Sequence, residues 1–193
     1  KAAGARVELF PTVVDTDRFR PAATPPDRFR IGWIGNPSTM VCLDPASEAL
    51  AGLPDGDLCL IGAEPAFSRW PKAEIRPWSL DSEVSELHRL TAGIMPMPEG
   101  PWMRGKCGLK ALLYMACGLP CVATPYGAAL EFIEDGVNGL LADSAEAWSE
   151  AFKRLQDSGL RTQLGAAGRA TVEESYALNR AAPRLLELLE SLC

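Results

Sequence analysis

The 193-residue chain carries 19 Lys and Arg residues against 25 Asp and Glu residues, which gives a formal net charge of −6. This acidic balance argues against the broad basic surface that binding to a nucleic-acid backbone requires. The composition, 47% hydrophobic and 23% charged, is that of a globular domain, and no apolar run reaches membrane-spanning length. We therefore expect a folded domain with no nucleic-acid partner and no transmembrane segment.

The chain begins with segments that are typical of a connection between domains. Residues 7–10 are apolar and predict a short strand, and residues 21–27 are rich in proline and predict a linker. Residues 1–26 are therefore interpreted as an interdomain hinge and linker. Because the chain opens at Lys1 with a strand that has no partner before it, we expect further sequence on the N-terminal side.

From residue 27 onward, predicted strands and helices alternate. Strands are expected at 29–34, 58–61, 74–76, 93–97 and from 121, and helices at 81–90, 109–116 and 145–155. Asp81 with Ser82, and Asp143 with Ser144, supply the side chains that begin two of these helices. This order predicts an α/β fold, a Rossmann-like parallel sheet with helices on both faces, spanning residues 27–176.

The chain after Gly159 is predicted to be wholly helical. A final helix within residues 177–193 places four leucines on one stripe, and Pro183 is expected to start or kink it. Those leucines are Leu185, Leu188, Leu189 and Leu192.

The cysteines and the single histidine predict no metal site. The six cysteines lie in apolar segments without regular spacing, which favours reduced thiols and a cytoplasmic protein. Cys117 and Cys121 are close in sequence, but no other ligand lies at suitable spacing, so they are interpreted as small core residues. His88 lies in a charged helix without a nucleophile arrangement and is interpreted as a surface residue. No cofactor and no metal are expected.

The first strand of the domain ends in the sequence IGWIGNPST, so residues 35–39 form a turn at the carboxyl end of a parallel strand. Ligands of open α/β sheets bind at that edge, which makes Gly35, Asn36 and Ser38 candidate donor-binding or phosphate-binding residues. A purely structural turn is the alternative. The third glycine of a dinucleotide fingerprint is absent, and no acidic residue follows at the expected distance, so a nicotinamide cofactor is not expected.

A second candidate segment lies at the start of the helix predicted at 109–116. Lys106 and Lys110 flank this start, with Cys107 and Gly108 between them. Lysine is unfavourable at a helix N-terminus, so two lysines there predict an anion that shares the positive end of the helix with them. Lys110 is expected to contribute less than Lys106, because a lysine one turn into the helix can point to solvent. Arg104, just before, is a phosphate ligand or a solvated charge.

Arg104 is also a candidate for the base, ribose or sugar side of a ligand, together with two further residues. Trp78 follows a predicted strand and either covers a nucleobase or belongs to the core. Glu131 begins or lines a helix after the turn at 125–127, where helix capping alone would explain it. No residue is assigned a catalytic role.

Three stretches are FPTVVDTDRF at 10–19, IGWIG at 31–35 and GKCGLKALLYMACGLPCVATPYGAALEFIEDGVNGLL at 105–141. Together they resemble the C-terminal, donor-binding domain of retaining GT-B glycosyltransferases of the group 1 type. The resemblance implies transfer of a sugar from a UDP- or GDP-sugar, with retention, to an acceptor held mainly by a missing N-terminal domain. It implies that the final helix crosses toward that domain, that this part alone is inactive, and that lysine charge and helix amides stabilise the leaving diphosphate.

The chain departs from that family at two positions. The family usually has two glutamates eight positions apart, one near the donor sugar and one on the ribose hydroxyls, and these positions are Gly105 and Leu113 here. The sequence Gly-Lys-Cys-Gly-x-Lys is similar to that of a sub-branch in which Lys106 and Lys110 would bind diphosphate more directly. A GT-B-like nucleotide-sugar epimerase and a non-catalytic nucleotide-binding or scaffold domain remain the alternatives.

Overall fold

The computed structural model describes residues 7–65 and 69–191. Its centre is a six-stranded, wholly parallel sheet in the order β3-β2-β1-β4-β5-β6, which confirms the predicted Rossmann-like architecture. The strands are β1 (Ile31–Ile34), β2 (Leu58–Ile61), β3 (Glu74–Arg76), β4 (Ala92–Met95), β5 (Cys121–Ala123) and β6 (Leu140–Leu141).

Helices cover both faces of the sheet. They are a 3-10 helix (Pro37–Ala46), α1 (Ser47–Ala51), α2 (Glu83–Leu87), α3 (Pro101–Arg104), α4 (Leu109–Ala116), α5 (Ala129–Phe132), α6 (Ala145–Arg154), α7 (Ser158–Ser175) and α8 (Leu178–Glu190). None of these helices is long and apolar enough to cross a bilayer within the described ranges.

The hydrophobic core lies in two layers because neighbouring strand residues point to opposite faces. Ile31 and Trp33 belong to one cluster with side chains of α1 and α6, whereas Cys59 and Ile61 belong to the other with side chains of α4. All four residues of β1, β2 and β4 are buried, as expected for strands covered on both sides.

Some predicted bounds differ from the observed ones for reasons visible in the hydrogen bonds. The strand expected from residue 29 begins at Ile31, because the Arg30 amide donates to the Thr91 hydroxyl (2.8 Å) instead of to a neighbouring strand. The strand expected to reach Met97 ends at Met95, since the Met97 amide donates to the Thr124 hydroxyl (3.0 Å). The helix expected at 81–90 shortens to α2, whose first turn has no side-chain cap.

The hinge segment, residues 14–20, lies against the start of α8. The Val14 amide donates to the Tyr176 carbonyl (2.8 Å), and the Leu178 amide donates to the Val14 carbonyl (2.9 Å). The Arg169 guanidinium binds the carbonyls of Thr16 and Phe19. The strand predicted at 7–10 is wrong: those residues pair with no strand, because the ladder contact forms further along, at the single bridge between Val14 and Ala177.

The last helix departs partly from expectation. It begins at Leu178, so Pro183 lies inside the helix and does not start it. Leu185 and Leu189 are exposed and Leu188 is partly buried, whereas Leu192 lies outside the described residues. Leu185 and Leu189 are therefore left largely uncovered by the described part of the chain.

The sheet opens at its carboxyl edge between β1 and β4. The two strands pair only at Ile31 with Ala92 and at Gly32 with Gly93, whereas β1 and β2 pair through all four residues. The hydroxyl of Tyr114, from α4, fills the gap and accepts the Ile34 amide (2.9 Å). Gly93 leaves room for this ring, because a Cβ there would stand 2.2 Å from Cγ of Tyr114.

This buried hydrogen bond predicts a loss of stability on removal of one hydroxyl. Tyr114→Phe leaves the buried Ile34 amide without an acceptor and should lower the free energy of unfolding by about 1–3 kcal/mol, measured by urea denaturation. Tyr176→Phe is the control, because the Tyr176 side chain makes no hydrogen bond with a described residue. Equal stability of the two variants would show that Tyr114 does not anchor α4 to β1.

Candidate functional site

The strand order reverses between β1 and β4, so the connections after these strands leave the sheet in opposite directions and border one crevice. Ligands of open parallel sheets bind at this point, outside the carboxyl ends of the strands. The turn at residues 35–39 follows β1, and α3 and α4 follow β4. The fold thus brings the two segments predicted from the sequence to the same edge.

The turn after β1 is held by its own side chains. Asn36 is the N-cap of the 3-10 helix and accepts the Thr39 amide (3.1 Å) and the Ser38 hydroxyl (2.7 Å). The Asn36 amide in turn donates to the Thr39 hydroxyl (3.2 Å). Asn36 and Ser38 therefore have a structural role in shaping the turn, whatever ligand contacts they also make.

Lys110 is the most informative residue of the crevice. Its ammonium lies 4.3 Å from the ring centroid of Trp33, and a Cβ on Gly35 would stand only 2.9 Å from its Nζ. The expectation that Lys110 points to solvent is wrong, since the side chain is partly buried at the end of β1. Glycine at position 35 is what lets the turn, the indole and the ammonium approach one another.

The Lys110 ammonium has no carboxylate partner in the described part of the chain. Burial lowers the pKa of Lys110 from its ordinary value of 10.5 to about 8, and the charge of nearby Lys106 acts in the same direction. A half-buried cation that faces a second cation is electrostatically unfavourable in the absence of an anion. The arrangement is that of a site built to receive negative charge.

The segment before α4 adds further donors. Lys106 is partly buried, with its Nζ 5.3 Å from the ring centroid of Trp102, and Cys107 is exposed. Gly108, with φ of 74°, is the N-cap of α4 and provides no capping side chain. Leu112 is the first residue of α4 whose backbone amide donates to a described acceptor, the Gly108 carbonyl (3.3 Å). The amides before it are available to a ligand.

Arg104 lies beside this segment in a cleft of about 540 Å³ that includes Gly105 and Tyr126. The Tyr126 hydroxyl accepts the Gly100 amide (3.2 Å) and the Arg104 Nε (3.3 Å), and donates to the Gly100 carbonyl (3.1 Å). The Gly100 contact, followed by that of Arg104, lowers the pKa of the Tyr126 phenol. Tyr126, which sequence reasoning missed, fixes the loop that carries Arg104 and Gly105.

Trp78 borders the crevice from the side of β2 and β3. A Cβ on Gly62, at the end of β2, would stand 2.2 Å from the Gly35 carbonyl oxygen and 3.1 Å from Cβ of Trp78. The indole is 49% exposed, so Trp78 is not a core residue, and its Nε1 donates to Glu83 (3.2 Å). Trp78 therefore presents aromatic surface two strands away from the lysines.

Other sequence candidates lie elsewhere. Glu131 is exposed on α5 and lines a separate cleft with Asn138 and Tyr176. His88 is partly buried, with its Nε2 2.7 Å from the Arg20 carbonyl oxygen. Leu113, at a position where the resembled family has a glutamate, is buried in the core. No three His, Cys, Asp or Glu residues of the described ranges lie close enough together to hold a metal ion.

A cavity of about 480 Å³ lies at the opposite, amino edge of the sheet, between the proline-rich linker and α7. Its arginine, Arg161, already donates to the carbonyls of Leu155 (2.6 Å) and Gln156 (3.0 Å). The cation of this cavity is therefore satisfied within the protein. The carboxyl edge, where the lysines lack such partners, is therefore the better candidate for a ligand site.

Comparison with known proteins shows the family and the fold of this chain. Residues 55–158 match the family Glycosyl transferases group 1. The chain is 28% identical over 216 residues to the GDP-mannose-dependent alpha-(1-6)-phosphatidylinositol monomannoside mannosyltransferase of Mycolicibacterium smegmatis, covering 96% of this chain and 56% of that protein. It is 38% identical over 87 residues to sucrose synthase of Beta vulgaris, covering 42% of this chain and 11% of the synthase. The chain thus spans about half of the mannosyltransferase and a smaller part of the synthase.

Solved structures share the fold over nearly the whole chain. The C-terminal domain of the glycosyl transferase group 1 protein LpcC from Francisella tularensis has a TM-score of 0.65 and 23% identity, covering 86% of this chain and 99% of that domain. HepE of Anabaena in complex with UDP and glucose has a TM-score of 0.73 and 17% identity, covering 97% of this chain and 58% of HepE. The expected resemblance to GT-B glycosyltransferases is confirmed. With its family match over more than half of its length, the chain belongs to the Glycosyl transferases group 1 family.

Proposed function

We propose that this chain forms the donor-binding half of a glycosyltransferase that transfers a sugar from a UDP- or GDP-sugar to an acceptor with retention of configuration. The observation that carries the proposal is the pair Lys106 and Lys110, which lack carboxylate partners among the described residues and lie beside uncapped helix amides at the crevice. The names of relatives support the donor class, since one is GDP-mannose-dependent and another is complexed with UDP.

The diphosphate of the donor is proposed to lie between the turn at residues 35–39 and the start of α4. Cations, helix-terminal amides and a close glycine turn together recognise phosphate oxygens. Lys106 and Lys110 supply charge, and the amides that follow Gly108 supply directed hydrogen bonds. In the reaction these groups would stabilise the diphosphate as it departs with the bonding electron pair.

The nucleoside is proposed to extend from the lysines toward Trp78. Trp78 borders the crevice from that side, because its Cβ and the Gly35 carbonyl oxygen both lie against Gly62 at the end of β2. The exposed Trp78 ring would then cover the base. The sugar would lie on the other side of the diphosphate, near Arg104, Gly105 and Tyr126.

The remaining parts of the proposal concern the whole protein. The acceptor would be held mainly by a further, N-terminal domain, so residues 1–193 alone should not transfer sugar. Buried, unpaired thiols such as Cys59 and Cys121 are in keeping with a proposed cytoplasmic location. The proposal names no catalytic base and assigns charge neutralisation to the lysines and amides without a metal.

One alternative is favoured by a specific observation. Gly105 and the buried Leu113 replace the two acidic residues expected from family resemblance, which is consistent with a nucleotide-binding domain that has lost catalysis. Screening the full-length protein with UDP- and GDP-sugars and analysing the products decides between the two. Nucleotide binding without transfer or epimerisation would favour the non-catalytic domain, whereas an epimerised donor would indicate an epimerase.

We expect that Lys106→Ala and Lys110→Ala each weaken UDP or GDP binding about tenfold or more, because a charge-assisted hydrogen bond contributes roughly 1.5–3 kcal/mol. Isothermal titration calorimetry of the purified chain measures this. Lys153→Ala is the control, since Lys153 is an exposed lysine on α6 that lies beside Glu150 (4.0 Å). Affinity equal to that of the wild type would remove the substituted lysine from the site.

The cost of burying Lys110 predicts that Lys110→Met stabilises the free protein. At pH 7 the gain should be about 1 kcal/mol, smaller than the pKa shift alone implies, because the contact with Trp33 offsets part of the cost. Between about pH 8 and 10.5 the unfolded chain binds more protons than the folded one, so wild-type stability rises and the gap closes. Denaturation of both proteins at pH 7 and pH 10 measures the stability gain and its decrease with pH. A Lys110→Met variant less stable than the wild type at pH 7 would contradict an unfavourable burial of the Lys110 ammonium.

The lowered pKa of the Lys110 ammonium also predicts how ligand binding depends on pH. UDP affinity should fall as pH rises from 7 to 9, because Lys110 loses its proton near pH 8 and with it the attraction to the diphosphate. Lys110→Met should bind more weakly at pH 7 and show a flatter profile over this range. A wild-type affinity that is constant from pH 7 to 9 would show that Lys110 does not face the diphosphate.

A further inference from the structure

The loop that carries Trp78, residues 77–82, has little apolar anchoring. Its large side chains are exposed, Trp78 at 49% and Leu80 at 60%. Within the loop, the Ser79 and Ser82 hydroxyls lie 2.7 Å apart and the Ser82 amide donates to the Ser79 hydroxyl (3.1 Å). Polar contacts from outside the loop must therefore set its position relative to the crevice.

Glu83 provides the contact at the end of this loop. One carboxylate oxygen accepts the Trp78 indole N–H (3.2 Å), and the other accepts from the Arg18 guanidinium (3.2 Å). The Glu83 side chain is only 12% exposed. Because each oxygen already has a donor, Glu83 is placed to orient the indole and not to contact a ligand itself.

Arg18 holds the same loop at a second point and comes from the hinge segment. Its guanidinium also donates to the Leu80 carbonyl (2.8 Å) and lies 4.9 Å from the centroid of the Phe19 ring. Phe19 is buried, and Arg169 binds its carbonyl oxygen. Arg18 therefore extends from a fixed stretch of backbone, and its contacts tie the Trp78 loop to the hinge segment.

We infer that Glu83 and Arg18 are positioning residues for the nucleoside: they hold the Trp78 ring at the base-binding side of the crevice, so that the hinge segment influences nucleotide affinity. This inference rests on the proposed function. A side chain that is fixed before the ligand arrives loses less conformational freedom on binding, and residues that fix it affect affinity without touching the ligand.

The inference separates two parts of one ligand. Inorganic pyrophosphate presents only the phosphate chemistry of Lys106 and Lys110, whereas UDP or GDP also presents a base. Glu83→Ala and Arg18→Ala should therefore weaken nucleotide binding about three- to tenfold and leave pyrophosphate binding unchanged. Because the Arg18 side chain is 38% exposed, its ion pair with Glu83 is partly solvated and contributes little to folding, so the melting temperature of Arg18→Ala should stay close to that of the wild type.

The chain offers matched controls. Arg20→Ala removes the same charge from the same segment, and the Arg20 side chain makes no hydrogen bond or ion pair with a described residue. It should bind UDP or GDP as the wild type does. Glu83→Gln retains an oxygen for the Trp78 indole while weakening the pair with Arg18, and should recover part of the affinity lost in Glu83→Ala.

Two measurements test the inference. Calorimetry follows the titration of UDP, GDP and pyrophosphate into these variants. NMR follows the indole N–H resonance of Trp78, which is assigned by its loss in Trp78→Phe. We expect a lowered nucleotide-to-pyrophosphate affinity ratio and a shifted indole resonance in Glu83→Ala and Arg18→Ala. An unchanged ratio, or equal losses for all three ligands, would overturn the positioning role alone. A wild-type chain that binds pyrophosphate but no nucleotide, or neither, would overturn the proposed function and this inference with it.

Discussion

A half-buried ammonium without a carboxylate partner is the constraint on which the site depends. Lys110 lies over Trp33 and against Gly35, where burial and the charge of Lys106 both disfavour its protonated form. Such an arrangement costs stability in the free protein and is relieved by an anion. Gly35 leaves space for the ammonium, the Trp33 indole offers it a π-face, and the uncapped start of α4 leaves backbone amides free for the anion that we propose to bind there.

The parallel sheet brings three segments that are separated in sequence to one edge, where the diphosphate and the nucleoside are proposed to bind. The turn after β1, the loop after β3 and the helix after β4 leave the same edge because all their strands point the same way. The crevice exists because β1 and β4 stop pairing after two residues, and the Tyr114 hydroxyl takes over the Ile34 amide. The hydrogen bond between the Ile34 amide and the Tyr114 hydroxyl also fixes α4, which carries Lys110.

The arrangement also connects the site to the segment that precedes the domain. Arg169 fixes the backbone of the hinge segment, Arg18 extends from that segment to Glu83, and Glu83 holds Trp78. Because Arg18 belongs to the hinge segment, the proposed positioning role would let that segment influence nucleotide binding. The polar contacts named here are the means by which this influence would reach the base-binding side.

The sequence by itself determined the fold class and the ends of β2, β3 and α4, because buried apolar runs and helical spacing are local properties. It also singled out both lysines as candidate site residues, since residue type at a helix start is visible in the chain. Only the tertiary structure decided that Lys110 faces Trp33, that Tyr126 fixes the Arg104 loop and that Glu83 links Trp78 to Arg18, because these contacts join residues whose separation in sequence reveals nothing of their distance. The strand predicted at 7–10 failed for the same reason: a strand needs a partner, and the fold provides pairing at Val14 instead.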